Sequence, residues 1–120
     1  MTGTKSAILG VVFEKIPGTH DDDRRTLTPI FNMDVPGFKG AEQMKVAAMK
    51  RDGVLGSHHH HYAELFTVLS GKAVFELTDT GATFISEEHI LVPGWRLLIP
   101  SYVYHSAKVD AGTILLGLTE

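Results

Sequence analysis

Four consecutive histidines, His58, His59, His60 and His61, lie in the middle of a chain of 120 residues that contains no cysteine. Glu64 follows close behind them, and a further imidazole stands at His105. Imidazole and carboxylate hold Zn²⁺, Fe²⁺, Mn²⁺, Ni²⁺ or Cu²⁺ when thiolate is absent, and such a set leaves coordination positions open for water or substrate. A metal site, one divalent transition ion per chain, is therefore the first chemistry these residues suggest. Gly56-Ser57 ahead of a histidine run resembles the scar of a purification tag, but the run lies between apolar, strand-like segments rather than at a terminus. A merely solvated polar loop is the other plain reading of the run.

The spacing constrains what positions these groups. Alternate side chains share one face of a strand, so His58 and His60 would project one way and His59 and His61 the other. Six residues of straight strand from His58 to Glu64 would span about 20 Å, whereas ligand bonds near 2 Å require convergence on one point. The chain must therefore bend between His61 and Ala63. Glu64 would then begin a neighbouring strand and face back toward the imidazoles, and His105 could complete the set from another strand.

The rest of the chain reads as short β-rich runs divided by turn residues. Strands are expected over residues 6–13, 27–32, 64–70, 72–79, 82–86, 95–99, 103–109 and 113–118, with turns at Pro36-Gly37, Ser70-Gly71, Thr80-Gly81, Pro93-Gly94 and Asp110-Ala111-Gly112. Residues 41–51 consist of good helix formers, but Asp52-Gly53 supplies a turn into the histidine run, so 44–50 is read as a strand. Lys5 before the apolar run 6–13 imitates a short export signal. Glu14 and Lys15 end that run at once, which favours a strand. An all-β sandwich or barrel follows, and the length suits one domain, 1–120. The net charge of −3 and the lack of a Lys/Arg block give no footprint for nucleic acid or an anionic membrane. Small molecules or a second copy are the expected partners, with the cytoplasm as the default compartment.

Two gapped patterns carry a resemblance. His58-x-His60, three residues, Glu64, six residues and Gly71 match the first motif of the cupin superfamily, G-x5-H-x-H-x3 or x4-E-x6-G, except that its leading glycine falls at Asp52, with Gly53 one place late. Gly94, five residues, Pro100, one residue, Tyr102, two residues, His105, three residues and Val109 match the second motif, G-x5-P-x-G-x2-H-x3-N, with Tyr102 in place of glycine and Val109 in place of asparagine. Together the motifs cover about residues 53–71 and 94–109. The resemblance implies a double-stranded β-helix, the cupin jelly-roll barrel, with His58, His60, Glu64 and His105 as metal ligands and a homodimer that often exchanges N-terminal strands.

A finer likeness is to cupins that isomerise or epimerise nucleotide-linked keto-deoxy sugars. Gly56-x-His58-x-His60 and Asp23-x-Arg25-x-Leu27 resemble their signatures, although Thr26 stands where those have glycine and Leu55 where several have an arginine for the diphosphate. The expected function is Lewis-acid isomerisation or epimerisation of a keto, sugar-like metabolite. Tyr62 and Tyr104 are the candidate catalytic proton carriers, with His59 and His61 as further candidates and barrel wall or solvent as their plainer setting. Arg25 and Arg96 could hold an anion, or form surface ion pairs. An Fe(II)-dependent dioxygenase and a non-catalytic ligand-binding module are the alternatives. His20 and His89 are read as members of charged loops without a role.

Overall fold

The computed structural model describes residues 6–79 and 85–120. Eleven strands follow one another: β1 (Val12–Lys15), β2 (His20–Asp21), β3 (Thr26–Leu27), β4 (Gln43–Ala48), β5 (Gly53–His58), β6 (Glu64–Ser70), β7 (Ala73–Asp79), β8 (Ile85–Leu91), β9 (Trp95–Ile99), β10 (Tyr104–Val109) and β11 (Ile114–Thr119). One sheet has the order β1-β9-β6-β11-β4, a second has β5-β10-β7-β8, and β2 and β3 form a short hairpin. Their pairings are antiparallel. The fold is the all-β jelly-roll barrel of the cupin type. Among the described residues no helix is long and apolar enough to cross a membrane.

Alternation explains the packing between the sheets. Phe75 and Leu77 on β7, Ala107 on β10 and Leu91 on β8 meet Val68, Leu97, Ile99 and Leu115 from the five-stranded sheet in one buried core. The opposite face of that larger sheet is also covered, because Leu65, Leu98 and Leu118 pack under Val35 and Phe38 of the long connection between β3 and β4. Strands covered on both faces lose the simple apolar-polar alternation. β6, β9 and β11 are of this kind.

Arg96 fixes that connection to the sheet. Its side chain is only 1% exposed. Nε and Nη2 donate to Glu14 at 2.9 and 2.5 Å, Nη1 and Nη2 donate to Asp34 at 3.1 and 3.0 Å, and Nη1 also donates to the Ile30 carbonyl at 3.0 Å. All five guanidinium N–H groups are thereby used. Neither a surface ion pair nor an anion site describes Arg96. It joins β1, β9 and the connection that carries the second apolar cluster.

Several expected elements need correction. Residues 6–11 form turns rather than the first part of a strand, because Gly10 takes φ +87° and Val11 N donates back to the Ile8 carbonyl at 3.2 Å. Ile8 still reaches the core while Leu9 faces solvent. Of residues 27–32 only Leu27 lies in a strand, and Pro29 just beyond it has no N–H to pair. The strand expected at 44–50 is present as β4, Gln43–Ala48, despite the helical propensity of 41–51, since β4 pairs along its whole length with β11. The Thr80-Gly81 turn and most of the expected 82–86 strand lie outside the described residues. His89 belongs to β8, not to a loop, and is buried with Nε2 3.1 Å from Glu87. Charged residues at 87 and 88 disguised that strand.

Replacing Arg96 by alanine should lower the unfolding free energy by about 3 kcal/mol, because Glu14 and Asp34 lose their common partner. Arg25→Ala, on the exposed hairpin turn, should change it by less than about 0.5 kcal/mol. Urea denaturation of both variants measures the difference, and equal midpoints would contradict the role given to Arg96.

Candidate functional site

His58 turns toward the cavity, at whose mouth it stays exposed, because β5 carries a bulge. Leu55 pairs with Ala107 and Gly56 with Ser106, but His58 pairs with His105, so Ser57 has no partner on β10. Strict alternation from the inward Leu55 would turn Ser57 in and His58 out; one extra residue reverses this. Gly56 and Ser57 adopt φ +85° and +62°. A Cβ on Gly56 would lie 3.1 Å from the His105 carbonyl oxygen, so glycine permits both the backbone angle and the close approach of β10.

β5 ends at His58, and the chain then bends at His61 and Tyr62 before β6 begins at Glu64. The bend falls where the spacing requires it, although His60 reaches the site from irregular chain rather than by strand alternation. Two clamps hold this segment. Tyr102 N donates to the His60 carbonyl at 2.6 Å, and Glu120 N donates to the Ala63 carbonyl at 3.2 Å while its carboxylate accepts from Ala63 N at 3.4 Å. Tyr102 has φ +66°, the left-handed conformation expected of the glycine it replaces.

His58, His60, Glu64 and His105 come together, with one potential ligand atom from each lying within 4.8 Å of all the others. Glu64 Oε1 is 3.0 Å from His60 Nε2 and 3.4 Å from His105 Nε2, yet this buried oxygen has no hydrogen bond. Proximity without hydrogen-bond alignment means that these atoms face a common point more than one another. A buried polar atom left in this state is unfavourable without a further partner, and a cation would satisfy it. The donor set therefore fits a divalent transition ion.

Electrostatics favour the same occupant. Burial lowers the pKa of His58 and of His60, and lowers that of His105 to about 4. Neighbouring imidazoles reinforce each shift, while the nearby Glu64 opposes it at His58 and the Val103 carbonyl opposes it at His105. Neutral imidazoles keep lone pairs available for a metal. His105 Nδ1 lies 3.2 Å from the Val103 carbonyl, which acts as acceptor and leaves Nε2 as the lone-pair nitrogen beside Glu64. Burial raises the Glu64 pKa, partly offset by His58, Lys45 and a hydrogen bond from Thr119.

These groups line one side of a cavity of about 210 Å³ between the sheets. Tyr62 also lines it and stacks on His60 with ring centroids 4.5 Å apart. Tyr104, adjacent to the inward His105, is 38% exposed and outside the cavity lining. His59 packs toward Tyr102, His61 lies edge-on to Tyr62, and both are exposed. Arg25 stands on the exposed hairpin turn, whose Asp22 carboxylate accepts from Arg24 N and Arg25 N. Leu55 is a cavity wall. Sequence reasoning missed Lys45 and Thr119, which also line the cavity. Alternation with Ala47 along β4 was the available signal for Lys45; Thr119 is found only through its pairing with Glu64 across β11 and β6.

No family model matches the chain, and no curated protein does. Solved structures share its fold. The sugar 3,4-ketoisomerase QdtA from Thermoanaerobacterium thermosaccharolyticum, in complex with TDP, superposes with a TM-score of 0.76 at 21% identity, covering 93% of this chain and 81% of that one. The TDP-fucose-3,4-ketoisomerase WlaRA from Campylobacter jejuni gives 0.76 at 19%, with 93% and 82% covered. The dTDP-4-dehydrorhamnose 3,5-epimerase from Sulfolobus tokodaii gives 0.83 at 16%, with 97% and 73% covered. At these identities the likeness is one of fold.

Metal-free protein should lose stability as pH falls from 6.5 to about 4. In that interval unfolded His105 takes up a proton that folded His105 refuses, and its contribution is complete above 6.5. Glu64, whose folded pKa is raised, acts in the opposite sense: its contribution is complete below its unfolded value and lost as pH rises through its folded one. Thermal melts in chelator should fall more steeply over this interval for the wild type than for His105→Gln. Parallel curves would contradict a neutral buried His105.

Proposed function

We propose that the chain is a metal-dependent isomerase or epimerase of a small keto metabolite. His58, His60, Glu64 and His105 hold one divalent transition ion, and Tyr62 carries a proton. The observation behind the reading is the buried Glu64 Oε1, without a hydrogen bond, among imidazole nitrogens turned toward the same point. The ketoisomerase and epimerase chemistry named for proteins of the same fold supports an isomerisation over other metal chemistry.

A bound divalent ion would supply Lewis acidity to a substrate carbonyl, easing loss of the proton on the adjacent carbon. The protein's own groups do the rest. His105 is oriented by Val103, Thr119 stands opposite Glu64 on the neighbouring strand, and the apolar walls exclude water from the reacting carbon. Tyr62, once its hydroxyl proton has passed to solvent, takes one proton from that carbon as the phenolate and returns one to the carbon skeleton. Substrate and product then have the same composition, and no oxidant is consumed.

Protein stripped of metal and titrated with divalent ions should bind about one per chain, and the double variant His58→Ala/His105→Ala should lose that affinity. No affinity in the wild type, or unchanged affinity in the double variant, overturns the metal reading. With metal bound, solvent deuterium should enter a keto sugar or keto acid without oxygen uptake. Tyr62→Phe should slow that exchange by about 10²- to 10⁴-fold while metal content stays the same. Oxygen uptake with Fe²⁺ and a diketone or catechol would put an oxygenase in place of the isomerase. Tight ligand binding without turnover in either assay would leave a binding module.

A further inference from the structure

We infer that Lys45 anchors a carboxylate of the substrate, and that the substrate is a small free keto acid with a short apolar portion. The inference rests on the metal-dependent reading of the site and names its substrate class. Of the residues lining the cavity, Lys45 is the one Lys or Arg. Among the described residues it forms no ion pair within bonding distance, and from the exposed edge of β4 it lines the same cavity as His60 and Glu64. The other cations considered for an anion are committed elsewhere. Arg96 spends all five donors on Glu14, Asp34 and Ile30, and Arg25 is on the exposed hairpin.

Lys45 and the ligand cluster line the same cavity. Lys45 on β4 pairs with Gly117 on β11, which pairs with Phe66 on β6, while Thr119 and Glu64 form the next inward-facing pair. The Phe66 ring lies over Gly117 and fills the middle of this row. A Cβ on Gly117 would come within 3.1 Å of that ring. Since neighbouring strands lie about 4.8 Å apart, the backbones of β4 and β6 are separated by about 10 Å. A short molecule lying in the cavity over the Phe66 ring can cover that distance, with one end at the Lys45 ammonium and the other at the ligands.

Charge and volume define the molecule. Three neutral imidazoles, one carboxylate and a divalent ion sum to one positive charge, and Lys45 adds a second. In a partly desolvated cavity this balance favours an anion. A cavity of about 210 Å³ is smaller than the range of about 300–1,000 Å³ usual for drug-sized ligands. Leu55, Phe75, Ala107 and Leu115 line its other side and offer no partner to ring hydroxyls. The site therefore suits a carboxylate and a carbonyl at the polar side with a few carbon atoms against the apolar one, and disfavours a nucleotide-linked sugar.

Calorimetric titration of metal-loaded protein with 2-oxobutyrate, its neutral amide and TDP tests the inference. We expect 2-oxobutyrate to bind at least about tenfold more tightly than the amide, as loss of a charge-assisted contact implies. Lys45→Met should lose about the same factor while binding metal no more weakly than the wild type, and Lys45→Arg should recover part of the loss. Equal affinity of wild type and Lys45→Met for 2-oxobutyrate overturns the anchor. Absence of 2-oxobutyrate binding, or tighter binding of TDP, overturns the substrate class. Failure of the metal reading is seen separately, because metal affinity is measured before any anion is added.

Discussion

Side-chain parity along β5 is the constraint on which the site depends. Leu55 belongs to the cavity wall, so His58, three positions later, belongs outside unless the strand gains a residue. Gly56 and Ser57 provide that residue in left-handed conformation, and the register with β10 slips at the corresponding point. His58 then lies directly opposite His105, with ring centroids 4.9 Å apart. Ser57 carries the cost of a conformation usually left to glycine, of the order of 1 kcal/mol or more. Local strain of this kind persists where surrounding structure determines it, and here the adjacent β10 backbone leaves Gly56 no room for a side chain.

The larger sheet separates stability from chemistry. Its outer face holds Leu65, Leu98 and Arg96, which retain the 28–42 connection through an apolar cluster and a five-bond guanidinium network. Its inner face carries Lys45, Glu64, Phe66, Gly117 and Thr119 around the cavity. β6 contributes to both, with Glu64 and Leu65 adjacent in sequence and opposed in space. The fixed outer face thus supplies the rigid support that four converging side chains need.

The convergence of His58, His60, Glu64 and His105 was legible because their spacing survives in sequence. His58, His60, Glu64 and Gly71 keep their intervals, and a bond length near 2 Å forces a bend that a straight strand cannot supply. The bulge was not legible: Gly56-Ser57 resembled the scar of a purification tag, and a shift in strand parity depends on the partner's register. Lys45 was hidden by a segment whose helical propensity is overridden by pairing with β11. Strand β8 was hidden by Glu87 and Glu88, since the burial of His89 against Glu87 appears only once the strand is placed. Gly10 gave a local warning about residues 6–13, where apolar content outweighed the turn it marks.

X-ray absorption spectroscopy of the zinc-loaded protein tests the central claim most directly. Convergence of His58, His60, Glu64 and His105 predicts three imidazoles and a carboxylate oxygen in the inner coordination sphere at about 2.0–2.2 Å, with outer-shell scattering from the imidazole rings. An all-oxygen shell, or scattering from one imidazole alone, would contradict it.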